Sequence, residues 1–343
     1  MRFLVFISLY CCVLMTHAQD IHFSQTAQTP LLINPGAAGV FDGWQRAIIN
    51  QRSQWMGSTT QFMTTSVAGD VTLFKKERGN RAYLGLGGLF NTDVGGDGRF
   101  GSQTGSVTVS GILPVAKGHT LSVGIQGGYG SRKGDISKLS FESQWSSAAY
   151  AFDPTIASGE VANLNSFSYL DLGSGVYYVL DAGKSTFARN HEFKFQLGAS
   201  VYHINQPLLK FTNGSDDHLH RKYVLHSGMV YDFVGSKYGI DASVVQFIQG
   251  GHYQTILGTM LRYRFSEGTK LTGNSQKAYF GLGMYMRVKD AIIPSVMVEY
   301  KGFKFGMSYD VTISTLRRAY GGGSLEFSLS YSNLFKGLHR DMR

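Results

Sequence analysis

The sequence predicts an all-β protein, a transmembrane antiparallel β-barrel of about 14 strands with an N-terminal lumen or periplasmic segment. Three observations predict it. Between Phe303 and Ile313 the residues Phe303, Phe305, Met307, Tyr309, Val311 and Ile313 alternate strictly with Lys304, Gly306, Ser308, Asp310 and Thr312. Only an extended backbone sends successive side chains to opposite faces, so one side of this segment meets oil and the other water. The chain is 16% charged, below the roughly 25% of soluble domains. Its mean hydropathy is nevertheless -0.08, and no run of apolar residues beyond the N-terminus is long enough for a membrane helix, which needs about 18. The third observation is 43 Gly, 23 Phe and 19 Tyr against six Pro. In a large barrel glycine relieves crowding and aromatic rings line the two membrane interfaces.

Met1 to Ala18 carries Arg2, an apolar run from Phe3 to Met15 and a small-residue site at Thr16-His17-Ala18, the order of a secretory signal peptide. Cleavage is expected before Gln19. Cys11 and Cys12 both fall inside this leader, so the mature chain has no thiol chemistry. A lipoprotein is not expected, because Tyr10 precedes Cys11 and Cys11 precedes Cys12, where a lipobox needs a small residue. Of 32 Lys and Arg only Arg2 lies in the leader, against 23 Asp and Glu. A basic exported chain suits the anionic lipid and lipopolysaccharide of a Gram-negative outer membrane, and nucleic acid is not an expected partner.

Residues 19–43 are polar and turn-rich without a clean period. They read as a plug-like segment seated in the periplasmic mouth, with His22, Phe23, Ser24, Gln25, Asn34 and Pro35 as its candidate residues. The competing expectation is a mobile periplasmic tail. The barrel is expected over 44–331, its strands at 44–52, 62–74, 82–91, 101–113, 120–131, 167–180, 192–202, 222–233, 239–248, 253–265, 278–288, 291–300, 303–313 and 324–331. Each has about the length that crosses a bilayer when tilted. A short basic tail, 332–343, follows.

A lipid-facing Arg or Lys at mid-membrane costs about 2–4 kcal/mol, so charges near strand centres mark the lumen. By that criterion Asp70, Asp171, Lys194, Asp232, Asp241, Arg262, Arg264, Arg287, Glu299, Lys304, Asp310 and Glu326 face inward. Both signs are present, which favours an internal ion-pair network over a strongly selective pore. With both termini periplasmic, the outward connections include Arg132 to Ser166, His203 to Arg221 and Ser314 to Gly323. Trp145, Tyr150, Phe152, Arg317 and Arg318 in these loops are candidate partner-binding residues.

The residues offer little chemistry. Gly85-Leu86-Gly87-Gly88 and Gly281-Leu282-Gly283 lie inside strands, with no helix following to hold a phosphate. The run from Asp93 has Gly95 at its third position and Thr104 at its twelfth, where a calcium loop needs acids. His218, His220 and His226 with Asp216 and Asp217 match no standard metal spacing and read as a solvated loop. No G-x-S-x-G elbow occurs. An enzyme is not expected, nor is a cofactor or a metal.

QDIHFSQ, TPLLINPGAAG and NQRSQW near the N-terminus are followed by YLDLGSGVYYVL, ASVYHINQP, SVVQFIQG, MSYDVTISTL and GGSLEFSLSY. In this order the motifs resemble the PorP/SprF family of type IX secretion outer-membrane proteins, and the resemblance spans Gln19 to Tyr331. The chain departs from the family pattern at Asn34-Pro35-Gly36, where the family has Ala in third place. The resemblance implies a non-enzymatic barrel of bacteria that often glide, which helps a large secreted or adhesin-like partner cross or stay at the surface with other secretion components. An outer-membrane channel or transporter for small or hydrophobic solutes is the competing class.

Overall fold

The computed structural model describes residues 20–55, 61–75, 81–96, 100–134, 139–159, 166–182, 193–210, 217–266, 278–314 and 323–333. The leader, Arg317, Arg318 and residues 334–343 of the tail lie outside the described residues. Sixteen strands are β1 (Gln45–Gln54), β2 (Phe62–Leu73), β3 (Tyr83–Gly95), β4 (Phe100–Ala116), β5 (His119–Lys133), β6 (Trp145–Ser146), β7 (Ala151–Phe152), β8 (Phe167–Asp181), β9 (Phe193–Tyr202), β10 (Lys222–Asp232), β11 (Tyr238–Gln249), β12 (His252–Ser266), β13 (Ala278–Arg287), β14 (Ala291–Tyr300), β15 (Phe303–Thr312) and β16 (Ser324–Asn333). Fourteen of them close a single antiparallel barrel, and β6 with β7 form a separate ribbon in the connection between β5 and β8. The barrel shuts where β1 pairs with β16, from Gln45↔Asn333 to Gln54↔Ser324, so no edge is left for lipid to meet.

The alternation works as the sequence predicts. Phe303, Phe305, Met307, Tyr309 and Val311 stand exposed on the outer face of β15, whereas Ser308 and Asp310 between them are buried. On β12, Leu257, Leu261, Tyr263 and Phe265 face out while Arg262 and Arg264 are buried inside. Several strands run beyond the expected limits: β3 continues to Gly95 and β4 to Ala116. Ladder pairing does not stop where the apolar band does, so hydropathy alone marks the membrane portion and misses the extension.

The two ends differ. One end, here the turn end, carries Gln45, Asn333 and the turn Lys301-Gly302, with Lys301 at φ 52° and Gly302 at φ 80°. Exposed Phe233, Tyr238, Tyr263, Phe265, Tyr300, Phe303 and Tyr331 ring it, with Phe303 and Tyr331 centroids 4.6 Å apart. The other, the loop end, carries the connections containing 134–166, 203–221 and 313–323, with exposed Tyr129, Tyr223 and Tyr253 beneath them. Two aromatic belts flanking an apolar band are the outer signature of a membrane barrel. In β14 the lipid-facing Pro294 has no N–H to give, and pairing with β15 skips from Ile292↔Val311 to Ser295↔Ser308.

Candidate functional site

The interior is occupied by the segment that precedes β1, described from Asp20 onward. Thr26–Gln28 and Pro35–Ala37 form single 3-10 turns on either side of a one-turn helix, Pro30–Ile33. Prolines at the first helical positions start two of these turns because their fixed φ suits a helix start and the missing N–H would be unpaired there anyway. Such short elements cannot stand alone; side chains of the wall hold them.

The segment enters at the turn end. Lys194 on β9 pairs with Asp42, and Asp70 receives Arg46 Nε at 2.8 Å, Arg46 Nη2 at 2.7 Å and the Gly39 amide at 2.8 Å. The Ser110 hydroxyl donates to the Ala38 carbonyl at 2.7 Å. Two wall glycines let the backbone approach: a Cβ on Gly124 would lie 2.3 Å from the Pro35 carbonyl oxygen, and one on Gly175 would lie 2.1 Å from Asn34 Oδ1. Asn34 is fully buried. Its Oδ1 accepts from the Gly36 amide at 2.8 Å, and its Nδ2 donates to the Val176 carbonyl at 2.9 Å and lies 3.0 Å from His226 Nε2. His226 therefore stands in β10 facing the lumen, not in a solvated loop.

Above this point the segment continues along β9, which Asn34 already touches. The Ser200 and Tyr202 hydroxyls donate to the carbonyls of Ile33 and Leu31 at 2.6 and 3.1 Å. Ile33 packs with Tyr202, Val224, Val245, Phe247 and Ile256, and Leu31 and Ala38 pack with Ile48, Ala68 and Leu89. Ser24 and Gln25 then reach a buried ion network. Glu326 accepts both of their amides at 2.8 Å. Asp310 accepts from the Ser24 hydroxyl at 2.8 Å, Arg52 at 3.2 Å and Arg287 at 2.5 Å. At the loop end Lys222 Nζ sits 2.9 Å from Asp20, and His203 bridges Asp171 at 2.9 Å and Asp20 at 3.4 Å. Burial alone would lower the His203 imidazole, but the two carboxylates outweigh it and push it up to about 9.

His22, Phe23, Ser24, Gln25, Asn34 and Pro35 are all brought into the lumen, but they span it from end to end; the expected seat at one mouth is corrected to a crossing of the whole barrel. The reason is that wall anchors occur at every level, from Asp70 to Lys222, and a compact mouth plug would leave most of them unpaired. Among the lumen charges, Asp70, Arg287, Asp310 and Glu326 bind the segment or its network. Arg262 and Arg264 instead face Asp232 at 4.0 and 3.3 Å, and Glu299 and Lys304 are opposite one another in register. Sequence reasoning missed Arg46 and Arg52, because Gln51 and Ser53 on the outer face blur the alternation of β1. It also missed Asp20, His203 and Lys222. The available signal was the set of apolar residues on the lumen face, Ile48, Val224, Val245, Phe247 and Ile256, which a water-filled bore would not carry.

Trp145 and Phe152 form one cross-strand pair of the ribbon and are 54% and 43% exposed; Tyr150 at its tip is 83% exposed. The Gln144 amide donates to the Ile156 carbonyl at 3.0 Å and the Ser143 hydroxyl to the Ser158 carbonyl at 2.6 Å, so the ribbon has a hydrogen-bonded base. Among the described residues no group of three His, Cys, Asp or Glu is placed to hold a metal ion.

Residues 15–331 match the family described as Type IX secretion system membrane protein PorP/SprF. A search of the curated proteins finds no match. Among solved structures the chain is similar to the Ralstonia pickettii toluene transporter TbuX, at 12% identity and a TM-score of 0.50, covering 89% of this chain and 92% of that one. It also aligns with the P. putida toluene transporter TodX, at 9% identity and a TM-score of 0.45, over 90% and 94% of the two chains. The translocator domain of the autotransporter NalP from Neisseria meningitidis aligns at 10% identity and a TM-score of 0.43, over 90% and 95%. At these identities the likeness is one of fold alone.

Proposed function

The chain belongs to the PorP/SprF family of type IX secretion system membrane proteins and is a barrel of the Gram-negative outer membrane; from that premise we propose that it supports export or surface retention of a large secreted, adhesin-like partner, without catalysis, through the loops at its outward-facing loop end. In this reading the N-terminal segment is a plug that keeps the bore shut while the exterior surface recruits the partner and the secretion components.

The observation that carries the reading is the pairing of a filled lumen with a braced, exposed aromatic ribbon. A backbone pinned at successive levels of the wall leaves no open bore at rest, and Trp145, Tyr150 and Phe152 are aromatic residue types enriched at protein interfaces. Held by its hydrogen-bonded base, the ribbon loses little freedom on binding. Deleting the gene should remove one large protein from the cell surface and leave small-solute uptake unchanged. An intact surface proteome with failed uptake of a hydrophobic nutrient refutes the proposal in favour of a transporter.

A further inference from the structure

On the lipid-facing side of β12 to β15 the apolar band is dented by a groove of about 490 Å³. Thr259, Met284 and Pro294 stand opposite one another on β12, β13 and β14, and Leu261, Leu282 and Val296 form the next outward row toward the turn end. Met307 and Tyr309 of β15 complete the wall. Thr259 and Pro294 are short where their neighbours are long, so they leave a low floor between taller side chains, all of them exposed. One wall is held in place, since the Tyr309 hydroxyl accepts the Gly323 amide at 3.3 Å. Pro294 has no N–H to give, and it sits where pairing between β14 and β15 lapses.

The place of the groove says what fills it. Within the apolar band the occupant is hydrocarbon, and an empty dent forfeits dispersion contacts along its whole lining. The rim adds a charge. Val288, Lys289 and Asp290 join β13 to β14 at the loop end, and Pro294 lies three residues below Ala291, the first of β14; three residues span about 10 Å along a strand. Asp290 is drawn to Arg287 Nη1 at 2.8 Å, whereas Lys289 is exposed. At the turn end, by contrast, Lys301 is already set over the Tyr300 ring, 5.1 Å from its centroid. An exposed cation above an apolar groove matches an amphiphile with an anionic head on the loop-end side and a hydrocarbon tail below it. The loop end faces outward, so that head belongs to the outer leaflet, which lipopolysaccharide supplies.

We propose that this groove holds one acyl chain of lipopolysaccharide, with Lys289 pairing a phosphate of the same molecule. The test is native mass spectrometry of the full mature chain, delipidated in detergent and then given purified lipid A, dephosphorylated lipid A or phosphatidylethanolamine as separate probes. One lipid A should be retained per chain at a concentration that leaves phosphatidylethanolamine unbound. Thr259→Phe raises the floor with a side chain that a lipid-facing surface tolerates, and it should lower retention of lipid A about tenfold. Lys289→Gln should lower it about fivefold, the scale of one lysine at an anionic lipid surface, and leave the dephosphorylated form unaffected. Both variants should still migrate as closed barrels unless boiled, which separates loss of the site from loss of the fold. Retention of lipid A unchanged by either substitution, retention of phosphatidylethanolamine to the same extent, no retention of lipid A, or a membrane protein in its place that Thr259→Phe displaces overturns the proposal.

Discussion

Glu326 is the position at which the hold on the N-terminal segment can be measured. It is fully buried in the wall of β16 and accepts the Ser24 and Gln25 amides, both at 2.8 Å. Hydrogen bonds to a charged group contribute about 1.5–3 kcal/mol each, so Glu326→Ala should cost residues 24–25 about 3–6 kcal/mol of anchoring. At about 1.4 kcal/mol per tenfold, the open population of that stretch rises by about 10²–10⁴. The anchors nearer the turn end, at Asn34, Ala38 and Asp70, do not touch Glu326, so the effect is confined to the N-terminal half of the segment. Amide exchange in detergent should therefore accelerate at residues 20–28 and stay slow at 34–39, with the barrel still resistant to unfolding unless boiled. Glu326→Gln keeps an acceptor and should fall between. Unchanged exchange at 20–28 in Glu326→Ala would refute the idea that this carboxylate pins the segment; acceleration along the whole segment would refute its division into separately anchored halves.

Removing residues 20–39 should raise single-channel conductance in planar bilayers well above that of the intact chain, and equal conductance would end the reading of this segment as a plug. Gly124→Val should have a similar effect by a different route, since its Cβ falls 2.3 Å from the Pro35 carbonyl oxygen and backbone cannot step aside as a flexible side chain can; a closed barrel of unchanged conductance would contradict the geometry. At the loop end the His203 contribution follows its folded value of about 9, raised above an ordinary value near 6.5. A raised value means stability that is full below about pH 6.5 and lost as pH rises through about 9. Asp20 works in the opposite direction: burial raises it, but Lys222 and His203 outweigh this and hold it well below its ordinary value, so its contribution fails only in acid. Proteolysis near Asp20 should therefore be slow at pH 6 and faster above pH 9, and a flat profile would remove His203 from the anchor. Trp145→Ala with Phe152→Ala should weaken capture of the surface partner about thirtyfold or more, the scale of a hot spot worth 2 kcal/mol, with barrel stability unchanged; retention of full capture would move the interface elsewhere.

Much of the barrel was legible because its rule is local. Lipid and lumen impose opposite demands on alternate residues, and each strand records them within about ten positions, as 303–313 does. The closed barrel has the 14 strands that count predicts. The blurred strand was β1, where Gln51 and Ser53 lie on the outer face and Arg46 and Arg52 went unnoticed. Polar, turn-rich composition without a clean period also led to the reading of 19–43 as something other than a membrane strand. Where that segment goes was not legible. Ser24 meets Glu326 across 302 positions and Asp20 meets Lys222 across 202, pairings set by register accumulated around the whole closed sheet. The sequence by itself determined which faces meet oil and how many times the chain crosses, since those depend on period and length. Only the tertiary structure decided which inward charges become anchors, which glycines make room for backbone, and that Asp20 reaches the loop end. Closing the barrel brings distant strands around one lumen, and buried donors and acceptors there must find partners across it.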